Sequence, residues 1–403
     1  MPDASTLEEH RDRILGSLTP VATTRVGLAD AVDRVLAEPV AAVLDLPRFD
    51  HAAMDGFAVR AADVASASGE QPVSLPVGGV VAAGDGPAAH EPGTATRIMT
   101  GAQVPAGADA VVPFEWTDGG SPVVVRRPAQ PGAHIRRAAE EVAAGDTVLG
   151  AGALLGPAQV ALLAAAGVGA VTVLERPRVA IVSTGSELAD GVPREGAVPD
   201  SNAVGLFAAV TALGGMPHRH GPIADSVADL RSELVGAAAH ADLVITTGGV
   251  SAGDHDVVKA ALRDEPGFWF GHVAIKPGRP QGCGTLEVAG RRVPVVCLPG
   301  TPVAAYSSFL VFAAPALRAL AGRPAVRRRT ALLAAEVTAT DRTVLLPASY
   351  DDEGRVAPLA GHVGHSQRML AAADALLVVP PVVRVIPAGE PVEVVALRPE
   401  EER

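Results

Sequence analysis

The sequence has only two cysteines, Cys283 and Cys297, in 403 residues. Two thiols exclude a disulfide framework and a cysteine-rich zinc site, and favour two small buried side chains in a reducing compartment. Basic charge is also scarce, because 33 Lys and Arg face 45 Asp and Glu, for a net charge of −12. An acidic surface repels phosphate backbones, so nucleic acid and anionic membranes are poor partners.

Signals for export or membrane insertion are missing as well. The N-terminus is charged from Glu8 to Asp12, unlike a signal peptide. The apolar stretch at 160–174 is shorter than the ~20 residues that span a bilayer, and Gly167 and Gly169 interrupt it. We therefore expect a cytoplasmic protein without membrane insertion.

The composition is that of a folded protein, with 48% apolar residues, 43 Gly and 34 Pro. The length predicts two to four domains. Apolar residues at three-to-four spacing predict helices over 5–38 and again over 146–175. Short β-branched runs predict a small β-rich domain at 46–139 and a closing β domain after 324.

The stretch 176–323 has the pattern of an α/β domain. Three apolar strands are predicted at 178–183, 242–246 and 293–298, each followed by a glycine-bearing loop and separated by helical segments. Buried strands alternating with helices indicate a parallel sheet. Ligands bind at the carboxyl ends of such strands, where these loops fall.

The first loop contains Gly185, Ser186 and Glu187. Glycine lets backbone N–H groups approach an anion, and a carboxylate beside it can hold a metal. The same residues also fit a turn that caps a helix, and so does the later Asp200-Ser201-Asn202.

The second loop, 246–256, is richer. Gly248, Gly249 and Ser251 predict a phosphate cradle, whereas Asp254 and Asp256 supply hard oxygen ligands for Mg²⁺. Asp225 adds a carboxylate from a separate loop, and His255 is read as a surface residue. The plain alternative is a glycine-rich connection with charged tips.

Two cations follow, Lys276 and Arg279, on a chain stiffened by Pro277 and Pro280. Stiffening lowers the cost of clamping an oxyanion such as phosphate or molybdate, although a simple basic turn remains the alternative. Thr301 and Pro302 suit the first positions of a helix. Carboxylates, glycine loops and cations on one sheet edge predict Mg²⁺-assisted chemistry on a nucleotide or phosphorylated ligand.

These motifs together resemble the molybdopterin molybdenumtransferases, which include the bacterial MoeA proteins and the E domain of eukaryotic gephyrin. The resemblance covers essentially the whole chain and keeps the motif order. It is carried by residues 49–58 (FDHAAMDGFA), 97–102 (RIMTGA), 134–146, 183–188, 247–256, 275–280 and 298–303. An adenylyltransferase acting one step earlier is disfavoured, because such proteins share only the α/β domain.

The resemblance implies the architecture and the assembly. It implies four domains: an elongated helical, dimerisation domain (1–45 and 140–175), a small β-rich domain (46–139), an α/β molybdopterin-binding domain (176–323) and a C-terminal β-barrel-like domain (324–403). It further implies a homodimer in which Asp55 and Thr100 of one subunit complete a site on the partner.

It also implies the reaction, in which adenylylated molybdopterin and molybdate give molybdenum cofactor and AMP with Mg²⁺. Carried over by position, Asp55, Thr100, Glu187 and Asp256 are catalytic, and Glu187, Asp225 and Asp256 hold the metal. The implied binding residues are Gly185, Ser186, Asp225, Gly248, Gly249, Ser251, Lys276, Arg279, Pro280, Ser366 and Arg368.

The chain departs from the family pattern mainly at positions expected to bind molybdate. Arg279 replaces a lysine, Thr301 and Ala304 replace Asn and Ser, and a serine-rich stretch is reduced to Ser366 beside Arg368. These departures motivate a second hypothesis, a gephyrin-like dimeric scaffold that binds a partner protein near the C-terminal domain with weakened or lost catalysis.

Overall fold

The structure is a computed structural model that describes residues 4–192, 194–250, 256–325, 329–359 and 366–397. The chain divides into two compact units. The first comprises Met1–Thr24, Asp33–Val35 and Val173–Arg403, and the second comprises Arg25–Val32 and Leu36–Thr172. The finer division into four domains stays a prediction.

The N-terminal region is less helical than predicted. Helix α1 (Leu7–Leu15) begins with a capping box, in which Thr6 and Glu9 each accept the other's backbone N–H. The predicted helix over 5–38 is wrong beyond α1, because strand β1 (Thr23–Gly27) follows and Leu28–Asp30 forms one 3₁₀ turn. β-Branched side chains favour the strand, and Asp33, with φ +62°, cannot continue a helix.

The second unit is rich in short strands, as predicted for 46–139. Strands β6, β7, β4 and β8 form its four-stranded sheet in that order. The core beneath this sheet contains Phe57, Val64 and Val112. The strands are β2 (Val40–Ala41), β3 (His51–Ala52), β4 (Gly56–Val59), β5 (Val73–Leu75), β6 (Val77–Val81), β7 (Ala95–Ile98), β8 (Ala110–Pro113), β9 (Val123–Val125), β10 (Ile135–Arg136) and β11 (Thr147–Leu149).

The helix predicted over 146–175 is shorter than expected. Helix α2 (Pro157–Ala165) begins with proline in its first turn, and Gly167 follows its end with φ +79°. Strand β11 precedes α2, and strand β12 (Ala170–Leu174) follows it. The prediction of a helical domain was therefore wrong in its helix content, since apolar spacing in short segments also fits alternating strands.

A six-stranded sheet forms the centre of the first unit, in the order β16-β13-β17-β21-β20-β18. The neighbours β16, β13, β17 and β21 are parallel, which confirms the predicted parallel core, whereas β20 and β18 add an antiparallel edge. The elements are β13 (Arg178–Thr184), β14 (Leu188–Ala189), β15 (Val198–Pro199), α3 (Ser201–Ala212), β16 (Met216–Ile223), α4 (Val227–Ala238), β17 (Leu243–Thr247), α5 (Val257–Leu262), β18 (Trp269–His272), β19 (Ile275–Lys276), β20 (Pro280–Val288) and β21 (Arg291–Leu298).

Both faces of this sheet are covered, because alternate side chains of each strand enter different cores. Ile181 and Ile245 pack with α3 and with the helical run Pro302–Leu320. Ala180 and Val244 pack with α4 and α5 on the other face. This burial explains why the strands read as continuous apolar runs.

The run Pro302–Leu320 consists of α6 (Pro302–Ser308), a π-helical segment (Phe309–Ala313) and α7 (Ala314–Leu320). By length and composition it could cross a membrane, but 78% of it is buried inside the fold. Such burial is typical of a core helix.

The C-terminal region consists mainly of strands, as predicted. Its sheet has the order β19-β24-β26-β28-β22, so that β19 of the α/β region pairs with β24. The elements are β22 (Arg329–Leu332), β23 (Val337–Thr338), β24 (Thr343–Tyr350), β25 (Val356–Pro358), α8 (Gln367–Ala372), β26 (Ala375–Val379), β27 (Val385–Ile386) and β28 (Pro391–Ala396).

Candidate functional site

Three loops meet at the carboxyl ends of the adjacent parallel strands β13, β17 and β21. Ser183 lies opposite Thr247, and Thr247 lies opposite Leu298, so the strands end at the same level. The N–H of Gly248 donates to the carbonyl oxygen of Leu298 over 3.2 Å. The sequence prediction that the glycine loops share one sheet edge is confirmed.

Glycine is required where these loops approach one another. Gly248 has φ +96°, and a Cβ added there would lie 2.7 Å from the carbonyl oxygen of Thr184. A Cβ on Gly300 would lie 3.3 Å from the Cα of Gly248. The backbones of the three loops are thus in close contact, which the absence of a side chain at Gly248 and Gly300 permits.

Reciprocal hydrogen bonds tie the first loop to the loop that follows β16. The N–H of Ser186 donates to Oδ2 of Asp225, and the N–H of Asp225 donates to Oγ of Ser186, each over 3.2 Å. Glu187 folds back over Gly185, where an added Cβ would lie 2.7 Å from each carboxylate oxygen. Glu187 and Asp225, both exposed, therefore belong to one rim of the sheet edge.

Asp256 is the residue before α5, and its side chain makes no capping hydrogen bond to that helix. Gly249 packs tightly against the same helix, since an added Cβ would lie 3.0 Å from Val258. The predicted site residue Ser251 lies outside the described residues, and so do Asp254 and His255.

The three predicted metal ligands do not form a compact cluster. Within the described ranges, no group of three or more His, Cys, Asp or Glu side chains has the spacing to hold a metal ion. This is compatible with Mg²⁺, which is usually held by one or two carboxylates, with water and substrate phosphates completing its shell. Glu187 and Asp225, on loops that bond each other, provide such hard oxygen donors.

Lys276 is the last residue of β19, and Arg279 lies on the turn that joins β19 to β20. Gly278 contacts the third loop, since an added Cβ would lie 3.5 Å from Pro299 and 2.7 Å from Oγ of Ser308. Buried Gln281 fixes this turn, because its Nε2 donates to the carbonyl oxygen of Gly278 and to Oγ of Ser308, each over 2.7 Å. The segment with both cations and Pro280 therefore adjoins the loop after β21.

Ser366 and Arg368 lie at the start of α8. The hydroxyl of Ser366 caps this helix by accepting the N–H of Met369 over 3.3 Å, and Arg368 is exposed. A cavity of about 380 Å³ adjoins α8, α3 and α6, but Lys276, Arg279, Ser366 and Arg368 do not line it. The four predicted oxyanion residues are thus not gathered around this cavity.

The sequence reasoning missed three polar residues at this cavity, namely Ser201, Asn202 and Gln367. Nδ2 of Asn202 donates to Oγ1 of Thr247 and to the carbonyl oxygen of Gly300, each over 2.8 Å. Nε2 of Gln367 donates to Oγ of Ser201 over 2.9 Å. The cap motif Asp200-Ser201-Asn202 was the available signal, and Asp200 does cap α3.

In the second unit, the structure brings Asp55 and Thr100 together. The N–H and the hydroxyl of Thr100 both donate to Oδ1 of Asp55, each over 2.7 Å. These bonds hold the pKa of the Asp55 carboxyl below its usual range. The next residue must be glycine, because a Cβ on Gly56 would lie 2.0 Å from the carbonyl oxygen of Val112.

Family models match most of the chain, in order. The MoeA N-terminal region (domain I and II) matches residues 5–167. The probable molybdopterin binding domain matches residues 180–319, and the MoeA C-terminal region (domain IV) matches residues 330–397.

Molybdopterin molybdenumtransferase 2 of Mycobacterium tuberculosis is 42% identical over 402 residues, covering 96% of this chain and 98% of its own. This chain belongs to the MoeA family. Within the same family, molybdopterin molybdenumtransferase 1 of M. tuberculosis is 35% identical and covers 97% of this chain and 98% of its own.

A solved MoeA structure has the same fold. The molybdopterin biosynthesis MoeA protein of Pyrococcus horikoshii superposes with a TM-score of 0.83 at 29% identity, covering 98% of this chain and 100% of that one. The resemblance to the MoeA family drawn from the sequence is therefore confirmed, as is a multidomain fold of mixed sheets and helices.

Proposed function

We propose that this chain inserts molybdate into adenylylated molybdopterin and releases AMP in molybdenum cofactor biosynthesis. The observation that carries the proposal is the convergence of three glycine loops at one edge of the parallel sheet, with Gly248 in contact with the first and third loops. Membership of the MoeA family, whose curated relatives are named molybdopterin molybdenumtransferase, supports it.

The nucleotide half of the site is assigned to these loops. We assign the backbone N–H of Gly249 to the phosphates, with Ser186 as a hydroxyl of the first loop and Ser251 as a further candidate from the sequence motif. The N–H groups of Gly185 and Gly248 bond to the carbonyl oxygens of Ile223 and Leu298, so these two glycines permit the close approach of the loops. Glu187 and Asp225 would hold Mg²⁺, with Asp256 as the third candidate ligand, and the ion would supply charge neutralisation at the phosphoanhydride. Through this ion the carboxylates would also orient the phosphate chain, so that AMP leaves from a fixed position.

The molybdate half is assigned to Lys276 and Arg279. Their segment adjoins the loop after β21, and a guanidinium binds an oxyanion in bidentate fashion. Arg368 and the hydroxyl of Ser366, at the start of α8, are a second pair of candidate residues for binding molybdate. Among the described residues, none of those that line the cavity beside α3 is charged, and we assign this cavity to the uncharged part of the molybdopterin.

We also propose a homodimer in which Asp55 and Thr100 complete a partner's site. Support comes from the Asp55–Thr100 pair, because two donors from one residue fix the orientation of this exposed carboxylate and lower its pKa. The scaffold hypothesis, with a protein partner at the C-terminal region, gains no support from the curated relatives named above. The cytoplasmic location stays a prediction.

The decisive experiment measures AMP release from adenylylated molybdopterin by the purified protein with Mg²⁺, in the presence and absence of molybdate. We expect release that depends on both ions. Binding of the adenylylated substrate without molybdate-dependent release would contradict the transferase and leave only the nucleotide half of the site. Omitting Mg²⁺ but not molybdate provides the matched control for the metal.

A further inference from the structure

Two consecutive residues in the first turn of α3 bond to different parts of the first unit. We propose that Ser201 and Asn202 are positioning residues that couple helix α8 to the glycine loops of the nucleotide site. The effect that we expect on turnover rests on the proposed function. The coupling between α8 and the loops is tested separately, by measuring the affinity for AMP.

Asn202 links the second and third loops directly. Its Nδ2 carries two protons, and both are used, one toward Oγ1 of Thr247 and one toward the carbonyl oxygen of Gly300. The hydroxyl of Thr247 in turn donates to the carbonyl oxygen of Pro299 over 3.3 Å. One amide group therefore sets the spacing of the two loops whose backbones meet at Gly248 and Gly300.

Ser201 links the same helical turn to α8. Its Oγ accepts the hydrogen bond from Nε2 of Gln367, which is the first residue of α8. The two partners are 166 positions apart in the chain, and the bond lies at the surface. Gln367 is thus a contact from the C-terminal region to the turn that carries Asn202.

The turn between these two bonds is held rigidly. Oδ1 of the buried Asp200 caps α3 by accepting the N–H of Ala203 over 3.0 Å. Ala203, Leu206 and Val210 anchor the helix in the core. Because the turn moves as one piece, a displacement of Ser201 also displaces the Asn202 amide.

The cavity of about 380 Å³ makes this coupling accessible to a ligand. Ser201, Asn202 and Gln367 line it together. A substrate that occupies the cavity while its nucleotide lies on the loops therefore contacts both ends of the coupling. Helix α3 would thereby fix the position of the molybdopterin in the cavity relative to the nucleotide on the loops.

The test uses Asn202→Asp, Ser201→Ala, Gln367→Leu and the double variant of Ser201 and Gln367. Asn202→Asp keeps the side-chain shape but replaces two donors by an oxygen facing the Gly300 carbonyl. Thr211→Ala is the matched control, since Thr211 lies on the same helix and its hydroxyl donates to the carbonyl oxygen of Phe207. The readouts are the Kd for AMP, kcat and KM separately, and Tm.

We expect Asn202→Asp to weaken AMP binding by about tenfold or more and to lower kcat, with little change in Tm. Ser201→Ala and Gln367→Leu should each weaken AMP binding by about threefold, and the double variant should do no more than either single one, because both remove the same bond. Ser201→Thr, which keeps the hydroxyl acceptor, should bind AMP as tightly as the unsubstituted protein does.

AMP affinities within twofold of the Thr211→Ala control would overturn the coupling, and so would effects of Ser201 and Gln367 that multiply in the double variant. A change in Tm alone, with unchanged AMP affinity, would leave these bonds a merely structural role and contradict the proposal. Failure of the proposed function is recognised separately, because the unsubstituted protein would then show no molybdate-dependent AMP release whatever its AMP affinity.

Discussion

Thr100 donates both its backbone N–H and its hydroxyl to one carboxylate oxygen of Asp55, each over 2.7 Å. The two residues are 45 positions apart, and both are exposed. Two donors aimed at one oxygen stabilise the ionised carboxyl, which keeps the pKa of Asp55 below its usual range. The two bonds also fix the orientation of the Asp55 carboxylate.

The contribution of the Thr100 hydroxyl to the pKa of Asp55 should be measurable separately from that of the Thr100 N–H. Thr100→Val removes one of the two donors, so the pKa of Asp55 should rise toward the value of a free carboxyl, as measured by NMR titration. Asp118 provides the internal control, because its carboxyl pKa is lowered by the N–H groups of Val124 and Gly120. An unchanged titration of Asp55 would contradict the role of the hydroxyl.

Asp55→Ala should impair turnover without dissociating the dimer that we propose. The side chain bonds to Thr100 of its own chain, so its loss removes an anion and not a packing contact. Activity and the mass from light scattering are the two measurements. Dissociation into monomers would instead make Asp55 an interface residue.

Asp256→Ala should abolish Mg²⁺-dependent AMP release, with a loss of at least about 100-fold, because a charge that orients the phosphoanhydride is removed. Stability should change little, since Asp256 lies at the end of a loop and outside the hydrophobic cores. Asp264→Ala is the matched control, because Asp264 is an exposed carboxylate just beyond the same helix. Equal activities of the two variants would exclude the assigned role.

Gly248→Ala should lower the free energy of unfolding by more than backbone strain alone would, because the added Cβ also disturbs the contact between two loops. Its φ of +96° costs about 1–2 kcal/mol for alanine, and the new Cβ must also move away from the Thr184 carbonyl oxygen. Gly267→Ala, with φ +84° and no atom within 4 Å of the added Cβ, isolates the strain alone. Urea unfolding and AMP calorimetry should show a larger loss for Gly248→Ala in both; equal losses would exclude a role for the close approach.

His10 should make the stability of the first unit depend on pH. The imidazole is fully buried between the rings of Trp269 and Phe312, and burial lowers its pKa from 6.5 to about 3. Between these two values the unfolded state binds a proton that the folded state does not. Stability is therefore lost as the pH falls below 6.5, by about 2 kcal/mol at pH 5 relative to pH 8.

Denaturant unfolding of His10→Leu at pH 8 and pH 5 checks this. The variant should lose most of that pH dependence, whereas His218→Gln, which changes an exposed histidine, should retain it. A variant of His10 with the full pH dependence would show that other groups are responsible.

Lys276→Ala and Arg279→Ala should each raise the molybdate concentration for half-maximal AMP release by about tenfold, because both cations lie at the turn that adjoins the third loop. Arg368→Ala should have a smaller effect, because Arg368 lies on α8 and not on the turn that adjoins the third loop. Arg263→Ala, at an exposed arginine of the same unit, is the control. An effect of Arg368→Ala as large as that of Lys276→Ala would move the oxyanion site toward α8.

The central sheet was predictable from local pattern because its strands are buried on both faces. Runs such as 178–183 and 293–298 have few other interpretations when glycine follows each of them, and parallel strands bring those glycines to one edge. The helix predicted over 5–38 was too long, because helical spacing of apolar residues in a short segment does not exclude strands and turns. Leu28, Val32 and Leu36 have helical spacing, but β1 separates them from α1, and Asp33, at positive φ, separates Leu36 from the other two.

The motif residues at the site follow from the sequence, whereas the contacts among them do not. Glycine loops, carboxylates and the Lys276–Arg279 turn were identified by residue type and spacing, since backbone geometry and ligand chemistry restrict those positions to few amino acids. The local sequence around Asn202 indicates only a helix cap, and that around Gln367 gives no comparable signal. Their partners lie 45, 98 and 166 positions away, and only the packing of α3 against α6 and α8 brings these donors and acceptors within hydrogen-bonding distance.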